Sequence, residues 1–589
     1  MKLQLTRTRL LWIAGALLLG SGLLFGIGVI EHNAAQSNEA ASLLPEGALL
    51  SIEANDFSSV LQQWNSSAEK RSWISGGDYS AFSRSRLFER LSQAQDEFAS
   101  VATVSLDSGM LAGIAGKQSA LALYDIGKLE FVYVTRLNTN RIEALPLWQA
   151  RGKFERRNTS GADFFLRRDS STGREAAFGQ RDGWLVLGTR EDLVAGVLDR
   201  IAGKNERCLA REAWYVDVSS QASERGDLRM VLNLDKIVPS DYFRSYWVQR
   251  NITEMKQYVS AISDLHLSGE AFQEERVLLR RNQNTEQTTA DVRPLYQLAP
   301  ENSVLTTASA TADAAQVLAD LRENLLEQKT DHTTTVAVSA PLATVEENAG
   351  NATQLDVAID QAPLAAMHAD PYLLLASLLH QAGPLRTMRC YSTGYDSNGI
   401  FASIHTAMVI EAHSGWSEEA VRNALTTALA TGTTVNRLGT QWTQHQATAG
   451  NYLMLDGPIP LFLQVAGRRI VLSNDMGQME AILARPAEDS AATGEGLSYE
   501  AIFRPGQGRT DFQHLMKQLD RAGMHNGGVS GTQEDADGAS EASNAEAPSF
   551  FSHNAGSLAR TFARLDAEQI SERDLGAKVL QTVSYRWKK

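Results

Sequence analysis

Residues 176–201 read AAFGQRDGWLVLGTREDLVAGVLDRI, and residues 461–483 read LFLQVAGRRIVLSNDMGQMEAIL. Each places two apolar runs around a short turn and follows them with apolar positions at helical spacing. Asp182-Gly183 and Ala466-Gly467 supply residues able to take the positive φ that a tight hairpin needs. Thr189 and Asn474 then stand where helix N-caps belong, ahead of Leu193, Val194, Val197 and Leu198 in one stretch and of Met479, Ile482 and Leu483 in the other. Strand, turn, strand, capped helix is written twice.

The correspondence extends in both directions. Leu44-Pro45-Glu46-Gly47-Ala48-Leu49-Leu50 and Ala299-Pro300-Glu301-Asn302-Ser303-Val304-Leu305 each lead into a short strand and a helical pattern. Ser119 to Leu137 reads as two strands around Ile126-Gly127-Lys128, and Met388 to Ile410 as two strands around Asp396-Ser397-Asn398-Gly399. Helical stretches follow near Ile142 to Ala150 and near Ser417 to Ala430. Each copy closes with a helical stretch and a strand, over Ile252 to Arg281 and Ala555 to Trp587, with Val277-Leu278-Leu279 and Thr582-Val583-Ser584-Tyr585 as the closing strands. The expected fold is α+β, with residues 43–290 and 297–589 as two homologous halves of antiparallel sheets and flanking helices, because strands joined by short turns pair antiparallel. Two polar insertions lengthen the second half. One spans Glu327 to Gly350; the other, 523–549, is acidic and nearly free of large apolar residues, so disorder is expected there.

Ahead of these halves lies a membrane signal. Residues 10–30 form 21 uncharged positions, among them Leu10, Trp12, Leu18, Leu24, Phe25 and Ile30, enough to span a bilayer core as a helix. Lys2, Arg7 and Arg9 precede the run and Glu31 follows it, which puts the N-terminus in the cytoplasm and the bulk of the chain outside. A cleaved signal peptide is the alternative, with Asn33-Ala34-Ala35 as its loose cleavage site, but its apolar stretch is normally roughly 7–15 residues. A single-pass signal-anchor, 1–30, at the cell membrane is therefore expected. Gly22 and Gly26 also match a small-xxx-small helix-pairing pattern, though glycine is common in such helices anyway.

Beyond residue 30 the chain carries 52 basic against 69 acidic groups, a balance of −17, which argues against a nucleic-acid partner. The only two cysteines, Cys208 and Cys390, show no metal or redox spacing; they stand as two buried thiols or, alternatively, a disulfide. The Leu44-Pro45-Glu46 opening after a membrane segment, the Asp182-Gly183 hairpin running into Leu185-Val186-Leu187-Gly188-Thr189-Arg190-Glu191-Asp192-Leu193, and the duplicated layout resemble a family of bacterial envelope proteins known only as a domain of unknown function. The resemblance implies a bacterial, exported, periplasmic or extracellular protein and transfers no active site.

Chemistry-bearing motifs are missing or imperfect. There is no His-Glu-x-x-His and no Gly-x-Ser-x-Gly, and Gly113-Ile-Ala-Gly116-Lys117-Gln118-Ser119 lacks the spacing of a phosphate loop. His368 with His380, Ser552-His553 and His413-Ser414-Gly415 are adjacencies without catalytic or ligand geometry, and Glu191-Asp192 and Glu418-Glu419 suit the first turns of helices. No catalytic, cofactor or metal residue is assigned. The expected function is a non-enzymatic binding or scaffolding protein of the envelope with a protein partner. A carrier or sensor of an apolar ligand or lipid, with Pro371 to His380 (PYLLLASLLH) near its cavity, is the alternative, and an enzyme with a dispersed site the third.

Overall fold

A computed structural model of the chain describes residues 39–71, 86–240, 255–326, 370–395, 402–430, 441–485, 496–508 and 565–588, apart from short gaps within them. The expected membrane anchor, both polar insertions and the predicted Asp396–Gly399 turn lie outside the described residues. Among the described residues no helix is long and apolar enough to cross a membrane.

Twenty strands are described: β1 Leu50–Asp56, β2 Lys117–Asp125, β3 Glu130–Arg136, β4 Glu155–Thr159, β5 Ala162–Arg168, β6 Glu175–Arg181, β7 Trp184–Gly188, β8 Leu228–Asn233, β9 Tyr258–Ser268, β10 Ala271–Arg280, β11 Leu305–Ala312, β12 Leu385–Tyr395, β13 Ala402–Glu411, β14 Trp442–Ala447, β15 Gly450–Leu455, β16 Leu461–Ala466, β17 Arg469–Ser473, β18 Tyr499–Phe503, β19 Leu565–Asp574 and β20 Lys578–Trp587. All pair antiparallel in one sheet. The first ten run in space β4-β5-β6-β7-β3-β2-β1-β8-β9-β10. The second ten run β14-β15-β16-β17-β13-β12-β11-β18-β19-β20, the same pairings in the same order.

Helices cover both faces of the sheet, which is why its central strands lack clean alternation. β7 is buried at every position. On one face Val132, Val134 and Val186 pack with Val194 and Val197 of the helix Glu191–Ile201; on the other Tyr133, Leu185 and Leu187 pack with Phe98 of the helix Arg86–Ala102. In the second set Ala407, Val409 and Val471 pack with Met479 and Ile482 of the helix Met476–Leu483. The hairpin geometry is as the sequence predicts: Asp182, Gly183 and Gly467 all have positive φ.

Two expectations are corrected. Over Ile252 to Arg281 and Ala555 to Trp587 the described residues form the hairpins β9–β10 and β19–β20 in place of a single closing strand each, while Met255 is helical and 252–254 and 555–564 lie outside the described residues. Tyr258, Ile262 and Leu265 imitate helical spacing in sequence, while Ser263 and Asp264 of β9 are buried against Glu274 and Arg229 on the neighbouring strands. Thr189 and Asn474 are not N-caps either. The caps fall one residue later, at Arg190 and Asp475, of which only Asp475 accepts a side-chain bond from its helix. Thr189 and Asn474 instead continue the ladder sideways. Thr189 Oγ1 accepts from Phe131 N at 2.8 Å, and Asn474 Oδ1 accepts from Thr406 N at 2.7 Å. This makes Thr189 and Asn474 structural counterparts, and with them Phe131 and Thr406.

The two ten-strand sets join through their closing strands. β10 and β20 pair from Ala271↔Arg586 to Leu279↔Lys578. At this seam Glu274, 1% exposed, accepts from Arg276 Nε at 2.5 Å and Nη2 at 2.6 Å and from Ser263 Oγ at 2.6 Å. Arg276 Nη1 donates across the seam to Gln581 Oε1 at 2.9 Å.

Cys208 and Cys390 are both free and buried, so they form no disulfide. Burial pushes the Cys390 thiol up to about 12. Since thiolate is the reactive form, a maleimide is expected to label neither cysteine in the native protein and both in denaturant, counted by mass spectrometry; native labelling of Cys390 contradicts its placement.

Glu500 on β18 is also buried. Its Oε1 accepts from Gln569 at 3.0 Å, whereas Oε2 has no partner among the described residues, and burial raises its pKa. A carboxyl whose folded pKa is raised favours the fold when protonated, below the unfolded value of about 4.3, and that advantage is lost as pH rises through the folded pKa. Glu500→Gln is therefore expected to raise the unfolding free energy on the order of 1 kcal/mol at pH 7, with the difference vanishing near pH 4. Parallel urea titrations at the two pH values measure it, and an equal effect at both rejects the ionisation argument.

Candidate functional site

Two polar clefts meet in the second set, at the ends of β11, β12, β13 and β18. One, of about 440 Å³, is lined by Asn302, Ser392, Thr393, His405, Asp475 and Gln478 among others. The second, of about 830 Å³, is lined by Glu301, Arg504, Asp566 and Lys588 and shares Asn302 and Gln507 with the first.

The sheet places the smaller cleft's walls. Ser392 and His405 are direct partners in the β12–β13 ladder, so their side chains share a face. The helix Met476–Leu483 starts beside them. Asp475 caps it, one carboxylate oxygen accepting from Gln478 N at 2.8 Å and the other lying 3.0 Å from His405 Nδ1. In the first turn, Gln478 donates through Nε2 to Ser392 Oγ at 2.7 Å and, more weakly, to the His405 carbonyl at 3.4 Å. Because that carbonyl can only accept, the amide's orientation is set, and Oε1 is left with no partner among the described residues. Gln478 is 4% exposed.

Thr189 and Asn474 as counterparts make the same places in the first set readable. His405 corresponds to Glu130 and Asp475 to Arg190, and Arg190 Nη1 donates to Glu130 Oε2 at 3.0 Å while also binding Asp192. There the pair is an ordinary ion pair. Gln478 corresponds to Leu193, also 4% exposed and part of the apolar core. A carboxamide thus occupies, in the second helix, a core position that leucine fills in the first. An unsatisfied buried polar atom costs about 1–3 kcal/mol, so the substitution is unfavourable for folding alone.

The larger cleft has a similar origin. Asn233 N donates to Leu49 O and Arg504 N to Val304 O, which makes Asn233 and Arg504 counterparts. After Asn233 the chain forms the helix Leu234–Ile237, packed on Leu50. After Arg504, Pro505 has no N–H to give and the described chain turns, with Gln507 N bonding back to Arg504 O.

Of the residues singled out from sequence, His368 and Ser552-His553 lie outside the described residues, and others lie away from the clefts. Glu191-Asp192 and Glu418-Glu419 occupy first turns of helices, and Lys117 begins β2. His380 lies in the last turn of the helix Leu373–Gln381, whose Leu375 and Leu379 pack in core with Val317 and Leu321. His405, Asp475, Gln478 and Ser392 were not legible as a group, since they come from three separated elements. The one signal available was Gln478 at a position that is apolar in the corresponding helix of the first set. Among the described residues no cluster of three or more His, Cys, Asp or Glu is arranged to hold a metal ion. No protein-family model, curated protein or solved structure matches the chain.

Proposed function

We propose that this chain is a membrane-tethered, exported binding protein of a bacterial envelope, built from two homologous halves, 43–290 and 297–589, of which the second carries the ligand cleft. The uncharged run at 10–30 and its basic flank support the tether. The recurrence of every strand pairing supports the duplication. One observation carries the binding role: Gln478 is kept polar and half-satisfied at a position where its counterpart, Leu193, closes the core. A duplicated unit that gives up packing in one copy only, at the wall of a cleft, has the pattern of a site whose missing partner is a ligand.

Full-length protein, extracted in detergent and analysed by native mass spectrometry after incubation with an envelope extract, is expected to carry a small-mass adduct that Gln478→Leu lacks. A bare protein in both cases overturns the reading. Neither cleft is the apolar cavity that a lipid carrier needs, given the charged and amide groups that line them.

A hydrolytic reading rests on the convergence of Ser392, His405 and Asp475. Against it, the Ser392 hydroxyl takes a hydrogen bond from Gln478, a structural engagement. Covalent labelling of Ser392 by a fluorophosphonate would reverse the order of the two readings.

A further inference from the structure

We propose that the smaller cleft binds a neutral saccharide unit, with Gln478 Oε1 accepting a hydrogen bond from a hydroxyl or acetamido N–H of the sugar; this rests on the cleft being the ligand site. The ligand class follows by elimination. An apolar molecule would leave the buried Gln478 acceptor unpaired. An anion would face the Asp475 carboxylate, and the helix N-terminus that would otherwise attract it already bonds that carboxylate through Gln478 N. A cation finds both Asp475 oxygens engaged, one by His405 Nδ1 and one by Gln478 N.

A neutral ligand rich in donors remains, and two kinds fit that description, peptides and sugars. An extended peptide binds by adding to a free strand edge, but past the β11 pairing at Tyr391 the chain at Gly508 stands against Thr393, and past the β17 pairing at Ala407 the Asn474 side chain bonds both Thr406 N and Ile404 O, so neither wall strand leaves its edge open there. A sugar needs no edge. Its hydroxyls are served by the carboxamides of Asn302 and Gln507 and the hydroxyls of Ser392 and Thr393. Its apolar ring face is served by Pro300 and Ala481, the apolar side chains of the same lining. The larger cleft continues from Asn302 and Gln507, giving room for further residues of an oligomer.

The test is calorimetric titration of the full-length chain in lipid nanodiscs with four tetrasaccharides: N-acetylglucosamine tetramer and maltotetraose as neutral probes, glucosamine tetramer as cation and tetragalacturonate as anion. Binding is expected for a neutral probe, weakened at least about tenfold by Gln478→Leu while the melting temperature does not fall. Ser392→Ala, which frees the Gln478 amide to swing, is expected to weaken it as well. Binding of only a charged probe overturns the neutral-sugar assignment. So does binding that Gln478→Leu leaves intact. If no tetrasaccharide binds but the envelope adduct seen by mass spectrometry is lost in Gln478→Leu, the sugar assignment fails and the ligand site stands; if there is no adduct either, both fail.

Discussion

A chain ending at Gly576 is expected to show no cooperative unfolding transition in its second half and to lose resistance to trypsin throughout β9, β10 and β19. The deleted segment contains β20, which pairs with β19 on one side and β10 on the other. It buries Val579 and Val583 almost completely. Apolar side chains of this size contribute about 1.5–3 kcal/mol each when buried, and the loss also strands the backbone donors and acceptors of two neighbouring strands. Against a typical domain stability of about 5–15 kcal/mol, one strand at the centre of the sheet is a decisive fraction. Limited proteolysis followed by peptide mapping reads the result. Protection of β10 unchanged from that of the intact chain would mean that the seam contributes nothing to the first set.

The second large effect is expected from Arg276→Met. The substitution keeps the volume of the stem and removes the guanidinium that neutralises Glu274, leaving a carboxylate 1% exposed with the Ser263 hydroxyl bonded to it and its neutralising cation gone. Removing one partner of a buried pair typically costs about 3–5 kcal/mol, whereas replacing both by apolar groups is often close to neutral. Arg276→Met should therefore lower the urea midpoint by a corresponding amount, and Glu274→Leu combined with Arg276→Met should recover most of it. If the double variant is as unstable as the single one, the cost comes from lost packing or from the Gln581 contact across the seam, and not from a stranded charge.

How far the sequence reaches is clearest at particular residues. Asp182-Gly183 announces its hairpin because two adjacent residues must take positive φ, a local requirement visible without any partner. The helix Glu191–Ile201 is equally plain, since Leu193, Val194, Val197 and Leu198 are all buried, as their spacing predicts. β9 misleads because both of its faces are buried, so polar Ser263 and Asp264 point into the protein and erase the alternation that marks a strand. Thr189 and Asn474 mislead differently: residues suited to capping were used to bond a neighbouring strand, a choice only the tertiary arrangement decides. The cleft was out of reach because its members are distant in the chain and lack a fixed spacing. The pairing of β10 with β20 was equally hidden, since nothing in either closing strand names its partner.

That pairing sets an order of events. β10 ends at Arg280, and the strand that covers its edge, β20, follows roughly 300 residues later. At synthesis rates of about 5–20 residues per second, the interval between the two is on the order of 15–60 s. During it the first ten strands can be complete in every other respect and still present an unpaired edge of the kind that recruits foreign strands. The β20 segment therefore does for the nascent protein what a clasp does for two lengths of chain: until it arrives the two sets are not joined, and a product cut short upstream of it keeps the β10 edge open to aggregation and proteolysis.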